Sequence, residues 1–176
     1  NLPKIIGGGS NRLFKVESGG ELVVKYLNLT GGVASGSTNQ DKRGGAIFVS
    51  VNGDLVLLHC IFRDNDSTYS PKLGDSIYLD YLVNGASNKI IKIENCIFER
   101  ASGVCSQEIM VHEAQTAIVR NCTFHQTCGT MVFAAQNGKA TILDSSGKGG
   151  SSMKTEAGAK TPTMTVINFD SKIGRA

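Results

Sequence analysis

Residues 91–98 read Ile91-Lys92-Ile93-Glu94-Asn95-Cys96-Ile97-Phe98, an apolar alternating strand followed by a polar residue and a second short strand. The same pattern starts again at residues 22, 55 and 117, and weaker copies start at residues 140 and 164. The intervals between these starts are 33, 36, 26, 23 and 24 residues. Periods of this size are typical of solenoids, in which each repeat buries its apolar side against the next repeat.

A further short strand lies between successive copies, as in Ala46-Ile47-Phe48-Val49 and Ile109-Met110-Val111-His112, and small polar residues separate the strands. Three β-rich segments per repeat predict an all-β protein, a right-handed parallel β-helix of about six to seven rungs. The longer intervals predict inserted loops at 33–43 and 66–74, and the Gly/Ser/Lys-rich stretch 147–162 predicts a flexible excursion. Residues 1–176 form a single β-helix domain in this interpretation, a fragment or mature part of a longer chain.

Composition and charge exclude several function classes. The net charge is +3, and all of the surplus lies in residues 139–176, which carry 6 Lys/Arg against 3 Asp/Glu. We therefore expect no nucleic-acid partner, since basic residues do not cluster with stacking aromatic residues. We also expect no membrane-spanning segment, since no apolar run approaches the roughly 20 residues that a spanning helix needs.

Strand alternation predicts which side chains of the repeat face inward. The inward positions hold two columns of like residues, and these are Cys60, Cys96 and Cys122 beside Phe62, Phe98 and Phe124. Asn95, Asn121 and Asn168 occupy the intervening bend, where an asparagine tolerates a left-handed backbone and can stack its amide on the next rung. The same reasoning places Asn121 in an inward bend column.

The strand and turn pattern resembles that of pectin-lyase-like right-handed β-helix proteins. In addition, Gly44-Gly45-Ala46-Ile47 followed by Phe62-Arg63-Asp64-Asn65 resembles the GGAI and FxxN repeat of polymorphic outer-membrane-type adhesins. The β-helix resemblance covers nearly the whole chain, whereas the GGAI/FxxN pair is found once. Proteins with this fold serve as lyases, adhesins and structural fibres, so the resemblance implies the fold more narrowly than the activity.

The five cysteines fall into two groups. Cys60, Cys96 and Cys122 are predicted as small buried thiols, with a Cys96–Cys122 bond between rungs as the alternative. Cys105 and Cys128 are 23 residues apart, one rung, at comparable turns. Stacked rungs lie about 5 Å apart, within the range of a disulfide, so we predict a Cys105–Cys128 bond.

Three sequons are present, at Asn28, Asn65 and Asn121. Asn28 is predicted to face outward and Asn65 to lie on a loop, so both are predicted glycosylation sites, whereas the inward Asn121 is not. Together with the predicted disulfide, these sites favour a secreted glycoprotein located outside the cell or at its surface.

The sequence offers no catalytic residues that we would assign, and it predicts no metal and no cofactor. The residues that come nearest to a catalytic arrangement are one arginine and four aspartates, namely Arg63, Asp64, Asp66, Asp75 and Asp80. They are predicted to cap turns, because no second acid recurs in register on neighbouring rungs.

Three functions remain open. The first is a structural or interaction protein of an extracellular or cell-surface assembly, such as a filament subunit, that binds copies of itself or other surface proteins. The second is a carbohydrate-binding adhesin module, for which an exposed row of Tyr69, Tyr78 and Tyr81 would be needed. The third is a polysaccharide lyase or hydrolase, which requires acids in register on neighbouring rungs.

Overall fold

The computed structural model describes residues 1–68, 74–80, 90–100, 106–112, 116–155 and 162–172. These residues form strands and turns and contain no helix. The strands are β1 (Lys4–Ile6), β2 (Phe14–Val16), β3 (Glu21–Lys25), β4 (Asn28–Thr30), β5 (Val33–Ala34), β6 (Ile47–Val49), β7 (Asp54–Leu58), β8 (Ile61–Arg63), β9 (Asp66–Ser67), β10 (Ile77–Leu79), β11 (Ile90–Glu94), β12 (Ile97–Glu99), β13 (Ser106–Val111), β14 (Thr116–Arg120), β15 (Thr123–Ala134), β16 (Lys139–Leu143), β17 (Ser146–Thr155), β18 (Thr163–Ile167) and β19 (Asp170–Lys172).

Every pair of neighbouring strands is parallel, and each turn of the chain adds one strand to each of three faces. Sheet I contains β2, β6, β10, β13 and the second halves of β15 and β17. Sheet II is the six-stranded sheet β3-β7-β11-β14-β16-β18. Sheet III contains β1, β4, β8, β12, the first halves of β15 and β17, and β19. The architecture is therefore the predicted all-β, right-handed parallel solenoid.

Two of the predicted loop segments contain regular structure. The predicted loops 33–43 and 66–74 begin with β5 and β9, which pair with each other in a small third ladder. The predicted excursion 147–162 was wrong over its first part, because β17 continues to Thr155 and pairs with both β15 and β19. Ladder hydrogen bonds to β15 along most of β17, and to β19 over Ser146–Lys148, outweigh the poor strand propensity of its glycines and serines. Residues 156–161 lie outside the described part of the chain.

A single left-handed residue turns the chain from sheet II into sheet III on every rung. The φ angles at this bend lie between 47° and 56°, and the residues are Tyr26, His59, Asn95, Asn121, Asp144 and Asn168. Side-chain contacts link rungs along the column: Asn121 Nδ2 donates to Asn95 Oδ1 at 2.6 Å, and Asn168 Nδ2 donates to Asp144 Oδ1 at 2.9 Å. The predicted asparagine bend is confirmed. The inward placement of Asn121 was wrong, since its side chain is exposed on the convex side of the bend.

The interior between the sheets is filled by columns of like residues in register. Phe62, Phe98 and Phe124 are buried and stacked, with ring centroids 4.8 and 4.9 Å apart and ring planes within 10° of parallel. The register also pairs Ile97 with Ile61 and Thr123. The outward residues that directly precede the phenylalanines are therefore stacked from rung to rung as well. Each phenylalanine thus packs mainly on its equivalents one rung above and below.

The phenylalanine column ends where the next rung places Gly147. A Cβ at this glycine would lie 2.4 Å from Met131 Cε and 3.0 Å from Phe169 Cζ, so these two side chains occupy the space of the missing ring. The column is thereby closed by a methionine from sheet I and a phenylalanine from the following rung.

Cys60, Cys96 and Cys122 form a second buried column, and all three are free thiols. Cys96 Sγ lies 3.3 Å from the carbonyl oxygen of Glu94, and Cys122 Sγ lies 3.2 Å from that of Arg120. Hydrogen bonding to Cys122 and burial raise the pKa of Cys96 to about 12. Hydrogen bonding to Cys96 and burial likewise raise the pKa of Cys60. Because the thiolate is the reactive form, these two residues are structural.

Phe98 lies in the middle of its column, so its truncation removes stacking on both sides. We expect Phe98→Ala to lower the free energy of unfolding by about 3–5 kcal/mol, measured by urea denaturation. Ile97→Ala serves as the matched control, since Ile97 is the outward neighbour in the same strand and should cost much less. Equal losses for the two variants would contradict the stacked column as the main source of stability.

The buried thiols should resist alkylation in the folded protein. Iodoacetamide at pH 8, followed by peptide mass spectrometry, should leave Cys60 and Cys96 unmodified and should modify them once urea unfolds the chain. Modification of either residue in the native protein at the rate seen in urea would show that the column opens to solvent.

Candidate functional site

The outer surface of sheet III carries two rows of side chains close to the first strands. One row runs Lys4, Asn28, Ile61, Ile97, and the other runs Thr30, Arg63, Glu99, His125. In the second row Arg63 and Glu99 form an ion pair, in which Arg63 Nε donates to Glu99 Oε2 at 2.8 Å and Nη2 also contacts that oxygen. Parallel in-register pairing places these partners directly opposite each other.

A groove of about 450 Å³ opens on this surface between Asn1, Leu2, Lys4, Asn28, Ile61 and Arg63. The Asn28 side chain is at its base and is only 6% exposed. Its Oδ1 is buried and has no hydrogen-bond partner within the described chain, although its backbone N–H donates to the carbonyl of Pro3 at 2.8 Å. Lys4 and Arg63 therefore line this groove with two cationic side chains, while the oxygen of Asn28 is buried beneath its surface.

The prediction of two glycosylation sites assumed that the side chains of Asn28 and Asn65 are accessible to solvent. In the structure both side chains are buried. Asn28 faces outward as expected, but β1 and the residues preceding it cover its amide. Asn65 does not lie on an exposed loop: it is 1% exposed, its Oδ1 accepts from the N–H of Gly32 at 3.0 Å, and its Nδ2 donates to the carbonyl of Leu29 at 3.0 Å. The Asn of the FxxN motif thus holds the preceding rung, and its Nδ2 is engaged where a glycan would attach.

A buried charged cluster closes the corner between sheets III and I, and we call it the corner clasp. Arg100 reaches back from β12, with Nη2 3.0 Å from Asp75 Oδ2 and Nε 3.2 Å from Glu108 Oε1. Its Nη2 also donates to the carbonyl of Asn65. Ser76 Oγ donates to Glu108 Oε2 at 2.5 Å. The clasp therefore joins two stacked turns of the chain, one with Asn65, Asp75 and Ser76 and the next with Arg100 and Glu108, at the corner from which the inserted segments leave.

Burial sets the protonation behaviour of the clasp. Desolvation raises the pKa of Glu108, while Arg100 and Ser76 act in the opposite direction. Burial alone would lower the pKa of Arg100, but the carboxylates of Glu108 and Asp75 raise it overall. Two buried carboxylates beside one guanidinium leave excess negative charge, and this excess favours the neutral form of Glu108.

The structure separates the acids that the sequence grouped as catalytic candidates. Asp75 is fully buried in the clasp, and Asp80 is buried and accepts from Gln40 Nε2 at 3.2 Å. Asp64 is exposed in a left-handed turn with φ 50°. A general acid must reach the substrate within hydrogen-bond distance, and the buried side chains of Asp75 and Glu108 are closed to solvent. These acids therefore stabilise the corner.

Sequence reasoning missed Arg100 and Glu108, and it missed a second copy of the GGAI turn. Gly74-Asp75-Ser76-Ile77 follows the geometry of Gly44-Gly45-Ala46-Ile47, with φ of 62° at Gly74 and 67° at Gly44. The sequence signal that could have identified this second turn is a glycine two residues before a buried serine or alanine. The substitution of the second glycine by Asp75 is what provides Arg100 with a partner.

Several predictions fall on residues outside the described chain. Cys105 lies outside it, and the side chain of Cys128 is not described, so the Cys105–Cys128 disulfide stays a prediction. Ser106 pairs with Gly129, which places the residues after each cysteine on adjacent strands. Tyr69 and Tyr81 also lie outside the described residues, and Tyr78 is fully buried against Phe48.

Two further findings hold for the described residues. Nowhere in them do three or more His, Cys, Asp or Glu side chains come together as metal ligands. None of their segments is a helix long and apolar enough to span a membrane.

The raised pKa of Glu108 predicts a pH dependence of stability. A carboxyl group whose pKa is raised by folding contributes stability that is complete below its unfolded pKa of about 4.3 and is lost as the pH rises through the folded value. We expect Glu108→Gln to flatten this decline, because its neutral side chain keeps an oxygen acceptor for Arg100 and places an N–H donor where Glu108 accepts from Ser76. Urea denaturation of both proteins from acidic to mildly alkaline pH measures it, and parallel profiles would contradict the assignment to Glu108.

Comparison with known proteins agrees with this geometry. A family model described as right handed beta helix region matches residues 10–147, more than half of the chain. Searches of curated proteins and of solved structures returned no match. The matched residues include β2 to β16 and the bend and core columns that hold the rungs together. The chain belongs to the family of right-handed β-helix proteins.

Proposed function

We propose that this protein is a structural or interaction component of an extracellular or cell-surface assembly, which binds copies of itself or other surface proteins through the outer side of its solenoid. The observation that carries the proposal is the outer surface of sheet II. Val23 and Ile167 are apolar residues that point away from the core, and they are 47% and 50% exposed. Exposed apolar side chains arranged in rows on a rigid sheet are typical of protein contact surfaces.

These apolar residues belong to two in-register rows on the outer side of sheet II. One row contains Val23, Val56, Lys92, Ile118, Thr141 and Thr165, and the other contains Lys25, Leu58, Glu94, Arg120, Leu143 and Ile167. Six strands at about 4.8 Å spacing make a surface roughly 24 Å long. The first row combines three aliphatic residues with two threonines and one lysine, and the second combines three aliphatic with three charged residues, a mixture suited to specific contact with another protein.

The buried acids favour an interaction role over catalysis. Asp75, Asp80 and Glu108 are all buried, and two of them serve the corner clasp. A polysaccharide lyase or hydrolase would need its acids at the surface, facing the sugar.

A carbohydrate-binding role receives less support than protein contact. Such a role was expected to use a row of exposed tyrosines, but Tyr78 is fully buried. Tyr26 is exposed, yet one face of its ring is stacked on His59 with centroids 5.0 Å apart. The fold itself is compatible with surface or carbohydrate-related proteins, so the apolar rows of sheet II decide between the two in this proposal.

Charge introduced into the apolar row should disrupt assembly while leaving the fold intact. We expect the wild-type chain to self-associate with rising concentration in sedimentation velocity and to form regular assemblies in negative-stain electron microscopy. The double variant Val23→Lys/Val56→Lys should weaken association by about tenfold or more, because buried unpaired lysines lose their hydration.

Ile61→Lys/Ile97→Lys is the matched control, since it replaces two paired aliphatic residues by lysine at outward positions of sheet III. It should leave association unchanged. A wild-type chain that stays monomeric at every concentration reached, or equal effects of the two substitutions, would contradict self-association through sheet II.

A further inference from the structure

We propose that Asn121 is a site of N-linked glycosylation, at which the side-chain Nδ2 takes an oligosaccharide from a lipid-linked diphosphate donor. Asn121-Cys122-Thr123 is a sequon, and the asparagine side chain is exposed at the bend between sheets II and III. The sequence alone excluded this residue on the premise that it faced inward, and that premise was wrong. The modification rests on the extracellular location in the proposed function, because sequons are glycosylated in secreted and surface proteins.

Burial separates Asn121 from the other two sequons. The side chains of Asn28 and Asn65 are buried, whereas that of Asn121 is exposed. An N-linked glycan is bulkier than the side chain that carries it and must stay in solvent. On Asn65 it would displace the hydrogen bonds to Gly32 and Leu29 that hold the preceding rung. Of the three sequons, the one at the bend is therefore the one whose glycan is compatible with the fold.

The backbone holds Asn121 on an exposed turn. Its φ of 49° turns the chain from β14 into β15, and its backbone N–H donates to the carbonyl of Leu143 at 3.0 Å. Cys122, the middle residue of the sequon, is buried directly after it and fixes the turn from the inside. Asp144, which occupies the same bend one rung further on, is exposed as well. The bend column therefore forms a ridge from which a bulky group can project.

The third residue of the sequon also faces outward. Thr123 is half-buried on the outer side of sheet III, where it pairs with Ile97. Its Oγ1 lies 3.5 Å from the Oγ of Ser146, which is the next residue in the same outward row. The hydroxyl that completes the sequon is thus on the outer surface beside the acceptor asparagine.

The transfer step balances on the asparagine amide. Nδ2 attacks the anomeric carbon of the donor sugar, the bond from that carbon to the diphosphate oxygen breaks, and one amide proton is lost. The lipid diphosphate is the leaving group, and nothing is oxidised or reduced. A primary amide has two N–H groups, so the product keeps one. Nδ2 of Asn121 donates to Asn95 Oδ1 at 2.6 Å, and the remaining N–H provides a donor for the same link between rungs.

The test directs the full chain into the secretory pathway of a eukaryotic host with a cleavable leader. The secreted protein is treated with peptide-N-glycosidase in isotope-labelled water, which marks each glycosylated asparagine by its conversion to labelled aspartate. Peptide mass spectrometry should find the label at position 121 and unmodified Asn28 and Asn65. Secreted, folded chain without a glycan on Asn121 would overturn the proposal.

Thr123→Val and Thr123→Ser are the matched variants. Valine keeps the shape of threonine without the hydroxyl, whereas serine keeps the hydroxyl and therefore the sequon. The hydrogen bond from Ser146 Oγ that valine removes is long, at 3.5 Å, so both variants should fold. The serine variant should keep the glycan and the valine variant should lose it. A glycan that persists in Thr123→Val would refute the sequon as its site.

Urea denaturation separates a tolerated glycan from one that disturbs the fold. Glycosylated wild type and Thr123→Val should unfold at nearly the same urea concentration, because a glycan on the exposed bend replaces no core contact. Clear destabilisation of the glycosylated form would contradict the exposed position. A glycan on Asn65 in chains of unchanged stability would likewise overturn the assignment, because burial would then not select among the sequons.

This inference and the proposed function fail in different ways. Thr123 lies on sheet III, so Thr123→Val leaves the apolar rows of sheet II intact. A chain that carries the glycan but stays monomeric in sedimentation velocity would remove self-association through sheet II and leave Asn121 as the acceptor. A chain that self-associates without a glycan on Asn121 in the secretory host would overturn the acceptor and leave the assembly standing.

Discussion

Stacking of like side chains at the spacing of parallel strands is the constraint on which this solenoid depends. A single rung has no interior of its own, and its inward side chains are covered only when the next rung repeats them in register. The stacked rings of Phe62, Phe98 and Phe124 and the buried thiols of Cys60, Cys96 and Cys122 show this directly. A shift of one residue would turn each inward column toward solvent, so the register is fixed by burial itself.

The corners between the sheets are held by side-chain contacts that differ from those of the core columns. Where the chain bends from sheet II to sheet III, one left-handed residue per rung is sufficient, and side-chain amides bond along the column. At the corner between sheets III and I the inserted segments leave the solenoid, and side chains add contacts to the backbone hydrogen bonds that continue from turn to turn. There Asn65 bonds to the preceding rung, and Arg100 joins Asp75 and Glu108, which lie on two adjacent turns of the chain. A buried ion cluster of this kind contributes more to a unique geometry than to net stability.

The outer sides of sheets II and III take no part in the core columns or in the corner clasp. The core columns hold Cys60, Cys96 and Cys122 beside Phe62, Phe98 and Phe124, and the corner clasp holds the buried acids Asp75 and Glu108. The outer side of sheet II exposes valine and isoleucine, and the outer side of sheet III carries charged residues. The two surfaces differ in chemistry, apolar rows on one and a cationic groove on the other.

Much of this arrangement was determined by the sequence itself, because alternation along a strand and the interval between copies are local properties. From them came the parallel β-helix, the cysteine and phenylalanine columns and the asparagine bend at Asn95, Asn121 and Asn168. The inserted segments were predicted less well. The strand propensity of 147–155 is poor, and this stretch is a strand because β17 pairs with β15 and, at its start, with β19.

Only the tertiary structure decided which residues meet across a corner. The burial of Asn65, the covering of Asn28 by β1 and the clasp between Arg100, Asp75 and Glu108 all join residues from different rungs. Their separations in sequence depend on the lengths of inserted segments and carry no fixed period.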